Sequence, residues 1–361
     1  MPSILTLQLT YKCNYTCIMC QKSSLDNNVY NSQMDDMDYE QLEQLLKTSA
    51  KHISVLRITG GEPLMYPDFE KLIDLLNEIN LKYTILTNGY LLNENIVKKM
   101  LKNCLQISIS IDSVDHDVYS YMRKGGDLDT VIHNIQTINS LKKSKHTPFL
   151  NIATTCFTFN IDGLYRIVEF CHKFKILSMS VSEGGYYNTP FIKEEHFIKN
   201  NRKQCELAVN KAQRVADDLN IIIRWSSQVL YFSKEENQLI SNRNKISGCV
   251  NFFFSGLLTP DFTFRICPLS SPVLDMNGRS LKEIWNCNEM KKCREIILQN
   301  NFPNSCRYCT DYNNNFDKDQ EYSYIEYQKE TKYWKIETTP NNQFASNHDS
   351  YKDAKCTCLK S

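Results

Sequence analysis

The chain has 361 residues, enough for one large domain and a smaller one. Its 42 basic and 41 acidic side chains nearly cancel, which excludes the electrostatic footprint of a nucleic-acid binder. No apolar run approaches the ~18–20 residues of a membrane span, and the N-terminus MPSILTLQLT carries neither a basic region nor a small-residue cleavage site, so no signal peptide is expected.

Strands are predicted in chain order at 4–10, 53–59, 82–87, 105–111, 149–156 and 176–182, short segments mostly rich in Ile, Leu, Val, Ser and Thr. Between them lie helical patterns at 37–50, 68–80, 93–103, 127–143 and 161–173, with a further one at 200–219. Asp38, Asp68, Asn93 and Asp162 are the expected N-caps. Six such repeats predict an α/β fold, a partial (β/α)6 TIM-like barrel over 1–240, with functional loops at the C-terminal ends of its strands. From 246 to 313 cysteines, aromatics and turn residues crowd together. LLTPDFTFRIC reads as a hairpin with Pro260 and Asp261 in its turn, and LKEIWNCNEMKKCREIIL as a helix. Residues 314–361 form a polar tail expected to be only partly ordered.

The fifteen cysteines are an odd and high count for a chain of this length, and a disulfide framework would imply export. Metal ligation in the cytoplasm is the expectation. Cys13, Cys17 and Cys20 stand in CNYTCIMC, directly after the first strand. Three thiolates so spaced can hold three corners of an iron–sulfur cubane and leave one iron open. A zinc knuckle without its fourth ligand is the plainer alternative. One strand later comes Gly60-Gly61-Glu62-Pro63, whose glycines permit a sharp turn and close approach; alone it is an ordinary loop.

CNYTCIMC followed by TGGEPL resembles the radical S-adenosylmethionine (radical SAM) superfamily, and the resemblance covers residues 1–225. It implies that Cys13, Cys17 and Cys20 hold a 4Fe–4S cluster whose fourth iron takes the amine and carboxylate of S-adenosylmethionine, and that Gly60, Gly61 and Glu62 meet the methionyl group. Met19 departs from the aromatic residue usual at that place. Later strand ends would hold ribose and adenine, with Ser110 and Asp112 as ribose candidates, and Arg123 could reach the methionine carboxylate. For each, an ordinary strand end, cap or surface side chain is the alternative.

Behind the barrel, Cys249, Cys267, Cys306 and Cys309 and the ribbon around them resemble the twitch domain, the shortened relative of the SPASM domain. That implies a small β-hairpin plus helix iron–sulfur domain holding a second, auxiliary 4Fe–4S cluster; zinc on the same four thiolates is the alternative. Cys104, Cys171 and Cys205 are expected in core packing, Cys156 as buried filler or a hydrogen donor, and Cys356 and Cys358 stay unassigned. Glu183 and Arg224 are candidate substrate contacts.

The implied activity is reductive cleavage of S-adenosylmethionine and removal of a hydrogen atom from a substrate. A small polar molecule of the sugar or aminocyclitol type, oxidised or dehydrated with help from the auxiliary cluster, is the first expectation. A peptide or protein modified by cross-linking, epimerisation or oxidation is the second, and a non-catalytic iron–sulfur electron carrier the third. A reductant such as flavodoxin or ferredoxin is the expected partner, with no nucleic acid and no membrane.

Overall fold

The computed structural model describes residues 1–23, 36–142, 148–185, 189–226, 251–266, 274–276 and 278–298, together with two strands beyond them. Apolar residues alternate along each short strand, and this period of two gives the sheet one face for helices and one without. The strands are β1 (Ile4–Gln8), β2 (Val55–Thr59), β3 (Tyr83–Thr87), β4 (Cys104–Ser110), β5 (Phe149–Cys156), β6 (Ser178–Glu183) and β7 (Ile222–Trp225), each parallel to the next. The crossovers carry α1 (Tyr39–Ser49), α2 (Phe69–Glu78), α3 (Glu94–Met100), α4 (His116–Met122), α5 (Leu128–Leu141), α6 (Leu164–Lys173) and α7 (Arg202–Leu219). This is the expected partial barrel with a seventh parallel strand added.

Leu5, Leu7, Leu56, Ile58, Ile85, Ile107, Ile152 and Met179 of the strands pack with Leu46, Leu72, Leu76, Ile135, Ile167 and Ala212 of the helices in one core. The opposite, inner face carries Gln106 and Ser108 of β4, Asn151 of β5 and Ser178 and Ser180 of β6. Gln106 Nε2 donates to Ser108 Oγ at 2.7 Å, and Asn151 Oδ1 accepts from Ser178 Oγ at 2.8 Å and Ser180 Oγ at 3.3 Å.

Two of the expected caps act as such: Asp38 accepts from Gln41 N and Asn93 from Ile96 N. Asp68 occupies the cap position of α2, but its carboxylate pairs with Lys71 at 2.6 Å instead. Asp162 lies in a 3-10 turn, Ile161–Gly163, and accepts from Gln204 Nε2 of α7. The helix α4, in the stretch after Ser110, was not predicted. It is only 7 residues long, and its cap Asp115 accepts from Asp117 N and Val118 N.

The hairpin exists as β8 (Ser255–Leu258) and β9 (Thr263–Arg265), with β10 (Leu274–Asp275) on its outer side. β8 lies parallel to β1, so the sheet runs β10-β9-β8-β1-β2-β3-β4-β5-β6-β7. Leu258, Phe264 and Trp285 belong to the same core as the barrel. The single helix expected over 281–298 is two, Leu281–Asn286 and Asn288–Leu298. The break falls at Cys287, whose backbone is extended, where Asn286 Nδ2 turns back to Lys282 O at 2.8 Å. In the tail, Tyr322–Gln328 pairs antiparallel with Tyr333–Thr339. No described helix is long and apolar enough to cross a membrane.

Candidate active site

The loop after β1 is held from both sides. Thr16 N donates to Lys124 O at 2.9 Å and Ile18 N to Met122 O at 3.0 Å, pinning it to the segment that leaves α4. Gly125 has φ +88°, and a Cβ there would press on Asn14 O, so this contact requires glycine. On the other side Gly61 N donates to Thr10 O at 2.7 Å and Glu62 N to Lys12 O at 2.8 Å. A Cβ on Gly61 would fall inside the Lys12 carbonyl. The two glycines of GGEP thus serve close packing of one backbone on another, a role their sequence position did not reveal.

Each thiol of the loop faces a donor. Tyr15 N donates to Cys13 Sγ at 3.4 Å, Lys22 N to Cys20 Sγ at 3.4 Å, and Arg123 Nη1 approaches Cys17 Sγ at 4.0 Å. Burial pushes the Cys17 thiol up to about 12, opposed chiefly by the Arg123 guanidinium. Burial likewise raises Cys13, opposed by the Tyr15 N–H. Donors aimed at sulfur favour thiolate, the form that ligates iron. Among the described residues no three His, Cys, Asp or Glu side chains converge on one metal ion. A cubane does not ask for that, because each thiolate binds a different iron. The donor set therefore fits a cluster held by three cysteines.

Glu62 is almost fully buried. Its Oε1 accepts from Thr87 Oγ1 at 2.6 Å and Leu64 N at 3.3 Å, and its Oε2 from Asn88 N at 2.8 Å. Burial raises its carboxyl to about 7 against these three donors. The side chain thus ties the end of β2 to the end of β3. Asn88 continues the tie, donating from Nδ2 to Asn14 Oδ1 at 2.8 Å within the cysteine loop. Thr87 and Asn88 were missed in the sequence. Their signal is the TNG that closes the third strand, as GGE closes the second.

Asp112 and Arg123, the candidates for ribose and the methionine carboxylate, form an ion pair with each other. Arg123 Nε lies 2.8 Å from Asp112 Oδ2 with Asp112 fully buried, and Asp112 Oδ1 accepts from Thr155 N at 2.8 Å. Burial opposes the Arg123 charge, but Asp112 and Cys17 outweigh it and hold the guanidinium charged. Ser110 is half-buried at the end of β4, and no described side chain bonds its hydroxyl. Met19 packs with Ile18, Met122, Phe157 and Phe197 in a second apolar cluster beside the loop.

Cys104, Cys156, Cys171 and Cys205 are fully buried in the core, and Cys156 points to the helix side of β5, as filler does. Cys249, Cys267, Cys306, Cys309, Cys356 and Cys358 lie outside the described residues. Glu183 is also on the helix side: its Oε1 accepts from Ile198 N at 2.9 Å, and its Oε2 is buried without a partner. Burial raises its carboxyl from 4.5 to about 7. The folded chain therefore binds more protons than the unfolded one between those values, and stability falls as pH rises through that window. Glu183→Gln keeps the Ile198 bond and removes the charge. It is expected to match the parent near pH 4.5 and to exceed it by about 1–3 kcal/mol at pH 8, measured by urea unfolding; equal stability at both pH values would contradict the buried charge.

A barrel whose helix-free inner face is polar and whose first strand ends in a pinned three-thiol loop defines an enzyme built around a thiolate-held inorganic centre. The radical SAM superfamily profile matches residues 7–171. GTP 3',8-cyclase of Clostridium botulinum (strain Okra / Type B1) is 31% identical over 289 residues, 76% of this chain and 83% of that protein. A probable GTP 3',8-cyclase of Methanocaldococcus jannaschii is 28% identical over 201 residues, 53% of this chain and 65% of that one, just under two thirds of its length. Among solved structures, SuiB of Streptococcus suis superposes with a TM-score of 0.64 at 16% identity, covering 86% of this chain and 71% of SuiB, a likeness of fold alone. The chain belongs to the radical SAM superfamily. It is an enzyme of radical chemistry, which sets aside the electron-carrier reading, and its family implies a 4Fe–4S cluster and S-adenosylmethionine.

Proposed function

We propose that the enzyme removes a hydrogen atom from a small polar molecule seated on the inner face of the barrel, beneath the loop of Cys13, Cys17 and Cys20. The observation that carries this reading is the polar row of Gln106, Ser108, Asn151, Ser178 and Ser180 on that face. When bound, the cluster and S-adenosylmethionine supply one-electron cleavage of the sulfonium and a radical able to take hydrogen from an unactivated C–H bond. The three thiols hold the cluster, and Arg123, fixed by Asp112, supports Cys17. The backbone of Gly60, Gly61 and Glu62 receives the methionyl group and the Ser110 hydroxyl the ribose. Oxidation or dehydration, assisted by an auxiliary cluster on Cys249, Cys267, Cys306 and Cys309, completes the proposal, with flavodoxin or ferredoxin as electron source in the cytoplasm.

The relatives named for action on GTP favour a small molecule. A structure of SuiB carries a precursor peptide, SuiA, and keeps the peptide-modifying reading as the alternative. The test is anaerobic reconstitution with dithionite. The protein is expected to release 5′-deoxyadenosine slowly without substrate and faster with it, and to bind about eight irons and eight sulfides per chain. Absence of 5′-deoxyadenosine from a loaded, reduced sample would contradict the activity, and about four irons plus zinc would contradict the auxiliary cluster.

A further inference from the structure

Among the described residues, the inner positions of the strands include three arginines and, from β1 to β9, no acid. Arg57 is the middle residue of β2, in register with Thr6 of β1 and Thr84 of β3. Arg265 of β9 is in register with Leu257 of β8, and Leu257 with Thr6, so Arg265 and Arg57 share one row three strand spacings apart, roughly 14 Å. Thr84 continues that row to Gln106 and then to Phe149 of β5. Arg224 starts from a higher row, in register with Ser180. Its guanidinium nevertheless lies 6.0 Å from the Phe149 ring, which brings it back towards the level of the other two. All three strands expose these residues because the neighbouring positions, Ile58, Phe264 and Ile223, pack against the helix side.

Among the described residues none of the three guanidinium groups makes an ion pair or a hydrogen bond to a side chain, and Arg265 Nε is buried with no partner. The inner positions of β1 to β9 include no Asp or Glu. Among the described strand residues, the carboxylate on this face is Asp275 of the outermost strand, opposite Thr263. A guanidinium presents a fork of donors matched to phosphate and carboxylate oxygens. Two of the three share one row and the third reaches back towards it, and with no side-chain counter-charge among the described residues they suit an anion.

We infer that the substrate of this enzyme is a small molecule bearing at least two anionic groups, phosphate or carboxylate, held by Arg57, Arg224 and Arg265 one layer below Gly60. The inference rests on the radical SAM reading and narrows it. An aminocyclitol, cationic at neutral pH, has the wrong charge for this face, whereas a phosphorylated sugar or a nucleotide has the right one.

The test measures binding to the reconstituted holoenzyme by calorimetry, using a nucleoside triphosphate, a hexose bisphosphate, citrate, an acidic peptide, glucose and an aminocyclitol. The small anions are expected to bind and to weaken as salt rises, and glucose and the aminocyclitol to fail. The nucleotide, hexose bisphosphate and citrate arms distinguish phosphate from carboxylate. R57Q, R224Q and R265Q are each expected to lose about tenfold in affinity, with the corresponding lysine variants losing less. Iron content and thermal midpoint serve as checks on folding. Equal anion affinity in folded glutamine variants overturns the inference, as does binding of the acidic peptide alone. Failure of the wild type to form 5′-deoxyadenosine is read separately and would overturn the radical chemistry whatever the anions do.

Discussion

Cys17→Ala is expected to abolish 5′-deoxyadenosine formation, to below about one part in a thousand of the parent rate, and to remove the iron of the cluster in the cysteine loop. Cys17 is the thiol with the most specific surroundings. The loop's own turn, Cys20 N to Cys17 O at 3.1 Å, frames it, and the Arg123 guanidinium lies behind its sulfur. Two thiolates leave two irons of a cubane without protein ligands, so partial retention is not expected. Because the loop is pinned at Thr16 and Ile18 through backbone groups, the variant should keep its fold. Circular dichroism matching the parent, with iron content and 5′-deoxyadenosine both lost, is the expected pattern. A variant that still cleaves S-adenosylmethionine would remove the cysteine loop from the chemistry.

Asp112→Ala is expected to destabilise the folded protein by about 3–5 kcal/mol. The pair it breaks is buried on both sides, with Asp112 at 0% and Arg123 at 8% exposure. Truncating the acid leaves a guanidinium in a dry site and strands the Thr155 N–H. Asp112→Asn retains an acceptor for Thr155 and should cost less. The measurement is urea unfolding of the unloaded protein, which separates this role from the ribose contact that position alone suggested. Loss of affinity for S-adenosylmethionine with unchanged stability would restore the ribose assignment.

The six predicted strands and the helices around them could be read because period-two and helical patterns are written in apolar residues, and those residues make the helix-side core. The strand Ile222–Trp225 escaped because it is 4 residues long and follows a helix with no turn signal except Asn220, whose φ is +56°. The site divides in the same way. CNYTCIMC and GGEP are local, so their spacing is visible. The Asp112–Arg123 pair is not, because it depends on α4 bringing residue 123 under the cysteine loop. Nor is the buried tie from Glu62 to Asn88, a contact across 26 residues. Arg57 had a signal that went unused: a charged residue centred in VLRIT, flanked by apolar residues, must face the side that the helices leave open.

β1 is bordered by β2 on one side and by β8 on the other, and Ser3 meets Phe254 across 251 residues of chain. The strand that carries the cysteine loop therefore keeps a bare edge until Ser255–Leu258, far later in the chain, pairs with it. An unpaired edge is a template for other chains, and closing so long a separation is slow. A chain ended after Trp225 would contain every barrel motif and still lack the neighbour of its most important strand. Rigidity at the cysteine loop thus depends on a strand far from it in sequence, Ser255–Leu258, as much as on the neighbouring β2.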